Sequence, residues 1–217
     1  MITSWGTPAW IRVLRLAFGV LGVVALAWIP IRAIGEADFS TANYFSYFTI
    51  QSNVLGVVVL LIGALVDPRD DRWQAVRGAS TLYLLITGVV YAVLLANIDV
   101  MLTDRWINDV LHRLLPLVMM LDWVLVPVSL GLTGRLLGAL LIYPAVYGAY
   151  SLIRGPIVGW YPYPFLDPRE QGYASLVIGL VVLAGVFALL AVAVVALGGL
   201  AHRWQDGRRT AAEPRSA

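Results

Sequence analysis

Six apolar segments constrain this chain more than any other feature of its sequence. They lie at residues 14–34, 47–66, 79–96, 110–130, 136–153 and 174–201. Each is close to the roughly 20 apolar residues that cross the hydrocarbon core of a bilayer as a helix. Since backbone groups in lipid must be paired internally, such segments fold as helices. The sequence predicts an all-α, polytopic membrane protein, built as a bundle of six transmembrane helices.

The composition supports this class and excludes several kinds of chemistry. Hydrophobic residues make up 60% of the chain and charged residues 13%, against roughly 25% charged residues in soluble domains. There is no cysteine, which excludes disulfides, thiolate metal sites and cysteine nucleophiles. There is no lysine either, which excludes a Schiff base and with it a retinal-binding bundle. Because the only histidines are His112 and His202, we expect no histidine-rich metal site.

The arginines predict how the bundle sits in the membrane. Most of them lie in the N-terminal segment, the second and fourth loops and the C-terminal tail, and these are Arg12, Arg15, Arg69, Arg72, Arg77, Arg135, Arg203, Arg208, Arg209 and Arg215. By the positive-inside rule, both termini are cytoplasmic. Residues 1–203 are then the transmembrane domain. Residues 204–217 are expected to be a basic, disordered cytoplasmic tail in contact with anionic lipid.

The same arginines bear on the partners and the location. Arginine used without lysine suggests a GC-rich bacterial genome, so we expect the inner (plasma) membrane of a bacterial cell. Because the basic residues flank apolar segments, the expected partner is the lipid bilayer, with no nucleic acid. The oligomeric state stays open.

Two polar clusters fall at the same predicted depth. The first is the string YFSYFTIQSN at residues 44–53, whose polar members in the second helix are Thr49, Gln51, Ser52 and Asn53. The second lies in NDVLHRLLP, where Asp109 and His112 share one face of the first turn of the fourth helix. Polar groups at membrane depth are costly unless paired, so both clusters are candidate functional sites.

Tyrosine stripes predict a cavity between the two clusters. The third helix carries Tyr83, Thr87 and Tyr91 at four-residue steps, and the fifth carries Tyr143, Tyr147 and Tyr150. Asp122 lies about 15 Å deeper than His112 along the fourth helix, near mid-membrane. We therefore expect a cavity that opens outward, with Asp122 at its floor. Its predicted lining is Gln51, Ser52, Asn53, Asp122, Tyr83, Tyr91, Tyr147 and Arg154.

The chemistry that this cavity could support follows from its side chains. A threonine hydroxyl beside a neutral imidazole is a nucleophile–base pair, so Thr49 could attack a carbonyl while His112 takes its proton. Asp109 could orient the imidazole ring. Gln51, Asn53 or the tyrosine hydroxyls could donate hydrogen bonds to a developing oxyanion.

Each of these residues also has a purely structural interpretation. Thr49 could bond the carbonyl one turn back, and His112 could bond Asp109 at the membrane surface. Asp122 could be a partner of tyrosine hydroxyls rather than part of a proton relay. Arg154 and Arg169 could recognise a substrate carboxylate or anchor the chain at the surface.

The strings YFTIQSN, LHRLLP and YPFLDP resemble the androgen-induced-gene family of six-helix membrane proteins, and YFTIQSN is typical of its bacterial relatives. The resemblance runs from the first helix to the sixth. The family includes threonine-dependent hydrolases of fatty acid esters of hydroxy fatty acids. Their catalytic threonine begins the second helix and their histidine begins the fourth. The resemblance thus implies that Thr49 and His112 are the catalytic pair.

Three hypotheses follow. The first is an integral membrane hydrolase of lipid-like esters, with Thr49 as nucleophile, His112 as base and Asp109 as its orienting group. This hypothesis implies no metal or cofactor. The second is a non-enzymatic binder of a lipid or small amphiphile, or a carrier in which Asp122 couples to protons. The third is a structural or assembly protein with no site.

Overall fold

The computed structural model describes residues 6–95 and 104–212, and every regular element within these ranges is helical. In chain order the elements are α1 (Ala9–Arg32), α2 (Thr41–Tyr44), α3 (Phe48–Leu65), α4 (Asp71–Val90), α5 (Arg105–Asp109), α6 (Leu115–Leu125), α7 (Gly134–Val158), α8 (Pro168–Gln171) and α9 (Tyr173–Ala212). A π-helical turn at Tyr91–Leu95 extends α4. Another, at Val110–Leu114, joins α5 to α6. A short 3₁₀ turn, Pro164–Leu166, precedes α8.

Five helices of the described chain are long and apolar enough to cross a membrane, namely Ala9–Arg32, Phe48–Leu65, Asp71–Leu95, Gly134–Val158 and Tyr173–Arg208. They coincide with five of the six predicted segments, although the last residue of the third segment, Ala96, lies outside the described residues. The remaining segment, predicted at 110–130, overlaps the run of α5, the π turn and α6 at 105–125, which is not among these five helices. The structure thus confirms that the described chain is all-helical and has several apolar helices long enough to cross a membrane.

The long helices run alternately up and down. We call one end of the bundle the α2 end, where α1 finishes and α3 and α5 begin. The opposite end, where α6 finishes and α4 and α7 begin, is the Asp122 end. The helix α4 is central, since it packs against α3, α6, α7 and α9, and α1 packs on α3 from outside. The outer helices expose large apolar side chains, among them Val13, Val20, Ile142, Val146, Ile153, Val181 and Val182.

Local sequence explains where several helices begin and how closely they pack. The side chain of Asp70 accepts a hydrogen bond from the Trp73 amide at the start of α4, and Thr133 caps α7 in the same way through Leu136. Close packing of α9 on α6 requires Gly198. A Cβ atom there would lie 2.8 Å from Nε1 of Trp123, whose indole donates to the Val194 carbonyl.

Two predicted boundaries are corrected. The helix α6 ends at Leu125 rather than at residue 130, because Pro127 disfavours helical backbone at the residue before it. The predicted disordered tail is helical at residues 204–212, which continue α9. His202 pairs with Asp206 one turn on, and Gln205 donates to the last carbonyls of α6. Residues 213–217 of the tail lie outside the described residues.

Candidate active site at the start of α3

A proline shapes the backbone that carries His112. In the π turn the Leu115 amide donates to the Val110 carbonyl, five residues back. Pro116 has no amide hydrogen to continue this pattern, which leaves the Leu111 carbonyl without a donor from its own helix. The side chain of Asn53 on α3 fills this gap, since its Nδ2 donates to the Leu111 carbonyl at 3.1 Å.

A glycine on α4 lets this irregular turn pack closely. A Cβ atom at position 88 would lie 3.2 Å from Cβ of Pro116 and 3.3 Å from the His112 carbonyl oxygen. A side chain there would therefore push the turn and α4 apart by a few tenths of an ångström. The π turn, Asn53 and Gly88 together fix His112 against the start of α3.

Thr49 and His112 are in contact. Oγ1 of Thr49 lies 3.2 Å from Nε2 of His112, and both residues are buried. Nδ1 of the same ring lies 3.1 Å from the Asn108 carbonyl oxygen. A carbonyl oxygen can only accept, so Nδ1 of the neutral ring carries the proton and Nε2 presents its lone pair to Thr49. This is the tautomer that a general base for a threonine hydroxyl requires.

The hydroxyl of Tyr163 is the second partner of Thr49. It accepts a hydrogen bond from the Thr49 amide at 3.1 Å and lies 3.2 Å from Oγ1. Because the Thr49 proton points at His112, Tyr163 donates its own proton to Oγ1. Burial raises the pKa of Tyr163 to about 12, so this hydroxyl stays protonated near neutral pH. The direction of every proton in the row Tyr163, Thr49, His112 and Asn108 is thereby fixed.

Tyrosine hydroxyls also satisfy the first amides of α3. The first four amides of a helix have no partner within it. The Phe48 amide donates to the Tyr147 hydroxyl at 3.1 Å, and this hydroxyl donates to the Ser46 carbonyl at 2.9 Å. With Tyr163 on the next amide, two phenols from outside α3 hold its first turn in place.

The other polar residues of YFTIQSN form hydrogen bonds to backbone carbonyls and do not line the cavity. Ser52 and Asn53 both donate to the Thr49 carbonyl, at 3.1 and 2.8 Å. Ser52 also meets Thr87 of α4 at 2.8 Å. Gln51 donates to the Phe45 carbonyl and accepts from Tyr143. These predicted cavity residues therefore build the frame around Thr49.

The ring of His112 is held on its face by Tyr91. The two rings stack with centroids 4.4 Å apart, and Asn108 donates from its side chain to the Tyr91 hydroxyl. Tyr91 was predicted to line the cavity, but it packs against the imidazole ring instead. Asn108 orients His112 twice, through its own carbonyl and through Tyr91.

The expectation that Asp109 orients His112 is corrected. Its carboxylate pairs with Arg113 one turn along the helix, and its side chain is 43% exposed. The Asn108 carbonyl takes the position at Nδ1 that Asp109 was expected to occupy. A backbone carbonyl fixes the tautomer as a carboxylate would, without adding a charge beside the ring.

Asp122 does not form the floor of the cavity. It lies in the last turn of α6, at the Asp122 end rather than at mid-depth, because α6 stops at Leu125. Its carboxylate accepts from Nε of Arg15 at 2.6 Å and from Nε of Arg77 at 3.1 Å. All three side chains are buried, so the aspartate is one member of an ionic cluster.

A cavity of about 420 Å³ lies beside Thr49, between α4, α7 and α9. Its polar lining residues are Thr49, Thr87, Tyr147 and Tyr163, and the rest of its wall is apolar or glycine. Of the predicted lining residues, Tyr147 is present. Tyr83 instead donates to the Leu140 carbonyl, and Arg154 donates to Asn43 beside the ring of Trp160.

Sequence reasoning missed Tyr163 and Asn108. Tyr163 belongs to an aromatic and proline-rich loop that is also typical of a membrane-surface belt, and Asn108 acts through its backbone. In the part of the chain that the structure describes, no three metal-ligating side chains lie together.

No protein-family model, curated protein or solved structure matches the chain. The family resemblance rests on the sequence motifs alone.

Proposed function

We propose that the protein is an integral membrane hydrolase that cleaves lipid-like esters with Thr49 as nucleophile and His112 as base. The observation that carries this proposal is the 3.2 Å contact from Oγ1 of Thr49 to the unprotonated Nε2 of His112, at the edge of an apolar cavity. The resemblance to threonine-dependent hydrolases of the androgen-induced-gene family assigns the same two residues.

The reaction would proceed in two halves. Oγ1 of Thr49 attacks the ester carbonyl carbon as its proton passes to Nε2 of His112. The bond to the alcohol oxygen then breaks, and that oxygen takes the proton from Nε2. In the second half, water attacks the acyl-threonine, gives its proton to Nε2, and the proton returns to Thr49 as the acid leaves. One ester and one water give one acid and one alcohol.

Tyr163 would stabilise the charged intermediate. Its proton is directed at Oγ1 of Thr49, and the oxyanion would form on the former carbonyl oxygen, two bonds from Oγ1. A buried hydroxyl that is held beside the reacting carbon can turn its hydrogen bond to that oxygen, and this bond strengthens as negative charge builds up. Thr49 and Tyr163 both line the cavity, so the substrate carbonyl would enter between them.

The cavity supports a lipid-like substrate. Its volume of about 420 Å³ lies within the roughly 300–1,000 Å³ of ordinary ligand sites. Apolar walls with a few polar groups at one place suit a hydrocarbon chain that ends in an ester. The absence of a charged side chain among the described lining residues favours a neutral reacting group.

The proposal includes the topology. We place six helices across the inner membrane of a bacterial cell, counting the run at 105–125 as the fourth, with both termini cytoplasmic. The arginine distribution supports this orientation. Thr49 and His112, at the α2 end, would then lie near the outer leaflet.

Substitutions at the pair test the proposal in purified protein. With p-nitrophenyl and fatty-alcohol esters as substrates, Thr49→Ala and His112→Ala should each abolish turnover, while Thr49→Ser should retain part of it. Thr81→Ala is the matched control, because Thr81 is a buried threonine that bonds the Arg77 carbonyl one turn back. His202→Ala controls for histidine. Turnover that survives in either Thr49→Ala or His112→Ala would overturn the assignment.

The apolar wall of the cavity also favours a second function, a binder of lipids or small amphiphiles without chemistry. This alternative predicts saturable binding of a fatty acid by wild-type protein, with no ester turnover, and unchanged binding by His112→Ala. Proton coupling through Asp122 has less support, because both carboxylate oxygens are bonded to arginine and the residue does not line the cavity.

A further inference from the structure

The cavity reaches the surface of the bundle between two of its outer helices. Three of its lining residues, Ala145 and Ala149 on α7 and Ala184 on α9, are exposed. Their neighbours on the same helices are exposed and apolar, including Val146 and Val181. Because surfaces of this kind face lipid in a membrane protein, the mouth of the cavity opens sideways toward the acyl chains of the bilayer.

The cavity is elongated along the helices. Its lining on α7 runs from Leu141 to Leu152, which is about 16 Å at the ordinary helical rise. On α9 the lining runs from Leu180 to Phe187, about 10 Å by the same rise. Its four polar lining residues come from α3, α4, α7 and the loop before α8, and Thr49 and Tyr163 lie in direct contact.

We propose that this cavity binds one acyl chain of a membrane lipid ester, which enters from the bilayer between α7 and α9. The carbonyl end lies at Thr49, and the hydrocarbon chain extends along α7. The identity of the carbonyl end rests on the proposed function, whereas the binding of the chain does not. The substrate is thus a lipid taken from the membrane rather than a soluble ester.

Gly148 sets the space available to the chain. It lines the cavity next to Tyr147, and a Cβ atom built there meets nothing within 4 Å. The position is therefore empty space on the wall of the cavity, and a larger side chain would occupy volume that the acyl chain needs. The opening residues on either side, Ala145 and Ala149, are small as well.

The same helix offers a matched control in Gly138. A Cβ atom there also meets nothing within 4 Å, but Gly138 is exposed and does not line the cavity. Gly138→Leu and Gly148→Leu are the same change on one helix, made in both cases where the fold has room. Only the second should affect the acyl chain.

Binding is tested first with a palmitate that carries a diazirine on its chain. In protein reconstituted into phosphatidylcholine nanodiscs, light should attach the probe to α7 and α9, and excess palmitate should compete. Gly148→Leu should reduce the labelling at least about tenfold, the effect of losing a few buried methylene contacts. Gly138→Leu should leave it unchanged. Labelling confined to the groove between α1 and α3, where Val23, Tyr44 and Val54 lie, would overturn the site.

Chain-length selectivity is tested by turnover. Gly148→Leu should lower kcat/KM for p-nitrophenyl palmitate at least about tenfold, with the butyrate ester nearly unaffected. Equal losses for both esters, or no loss for either, would contradict the acyl site. If wild-type protein hydrolyses neither ester yet the diazirine label still maps to α7 and α9, the hydrolase proposal fails and the acyl site stands. If turnover needs Thr49 but the label lies elsewhere, the acyl site fails alone.

Discussion

The bundle buries two polar clusters, one at each end. One consists of uncharged, hydrogen-bonded side chains and the other of charged side chains. The cluster at the α2 end consists of Tyr163, Thr49 and His112, and its contacts are hydrogen bonds between side chains of which none carries a formal charge when the imidazole is neutral. The cluster at the Asp122 end consists of Arg15, Arg77 and Asp122, and its contacts are ion pairs. Both are buried among apolar helices.

The two clusters differ most in whether their polar atoms are fully bonded or available to react. Arg15 and Arg77 occupy both oxygens of Asp122 and bond backbone carbonyls at Gly63 and Val126. Thr49, by contrast, lines a cavity, and Nε2 of His112 is already oriented toward its hydroxyl. Burial of polar groups is therefore a weak sign of function by itself. A reactive atom that is both activated and accessible is the stronger sign.

The largest expected effect separates the clusters by stability. Asp122→Ala leaves the buried guanidinium of Arg77 without a carboxylate partner and Arg15 with only its 3.4 Å ion pair to Asp67, so we expect a loss of about 3–5 kcal/mol and little folded protein. Thr49→Ala removes one hydroxyl and should fold and insert normally. The measurement is the thermal midpoint and monodispersity of each variant in detergent. Asp109→Ala is the control, with an expected change within about 0.5 kcal/mol, because its ion pair is exposed. A stable Asp122→Ala would remove the distinction.

A smaller but selective effect is expected at Tyr163. Tyr163→Phe keeps the ring that packs against Tyr47 and Phe165 and removes the hydroxyl beside Oγ1 of Thr49. We expect kcat to fall by about 10²–10³, the usual effect of losing one oxyanion donor, with little change in KM. Tyr161→Phe, in the same loop, should leave kcat unchanged. If KM rises while kcat holds, Tyr163 serves binding and not the reaction.

The support of the catalytic pair is tested at Asn53. Asn53→Leu removes the donor to the Leu111 and Thr49 carbonyls, and an unsatisfied buried carbonyl costs about 1–3 kcal/mol. We expect lower thermal stability together with reduced turnover, because the π turn that carries His112 loses the hydrogen bond by which Asn53 ties it to α3. Asn43→Leu, at a partly buried asparagine of α2, is the comparison. Full activity in Asn53→Leu would show that the turn holds its shape unaided.

The smallest expected effect is the pH dependence of stability that Asp67 causes at the Asp122 end. Burial opposes ionisation of Asp67, but hydrogen bonds from Thr7 and Arg69 outweigh it and lower its pKa below 3.8. Since the folded state favours the ionised form, this contribution is present above about pH 4 and is lost as the pH falls further. The melting temperature should therefore drop more steeply below about pH 4 in wild-type protein than in Asp67→Asn. Parallel curves for the two proteins would count against it.

How far the site could be predicted depends on the kind of contact. Thr49 and His112 could be paired from sequence because the alternating topology brings the starts of the second and fourth helices to one depth. Tyr163 could not, since it lies 114 residues from Thr49 in a loop whose aromatic residues also suit a membrane surface. The sequence predicted Asp109 as the orienting group because it shares a helical face with His112, but its carboxylate forms an ion pair with Arg113 one turn along.

Hydropathy alone determined that this chain forms apolar helices of membrane-spanning length, because the length of an apolar run and the pairing of its backbone are local properties. It also placed two polar clusters at the same level. Only the tertiary structure decided which hydroxyl points at which nitrogen, that Asp122 belongs to an ionic cluster, and that a cavity lies between α4, α7 and α9. These features depend on side chains from distant helices meeting at atomic distance, and packing sets those meetings, not the periodicity of any one segment.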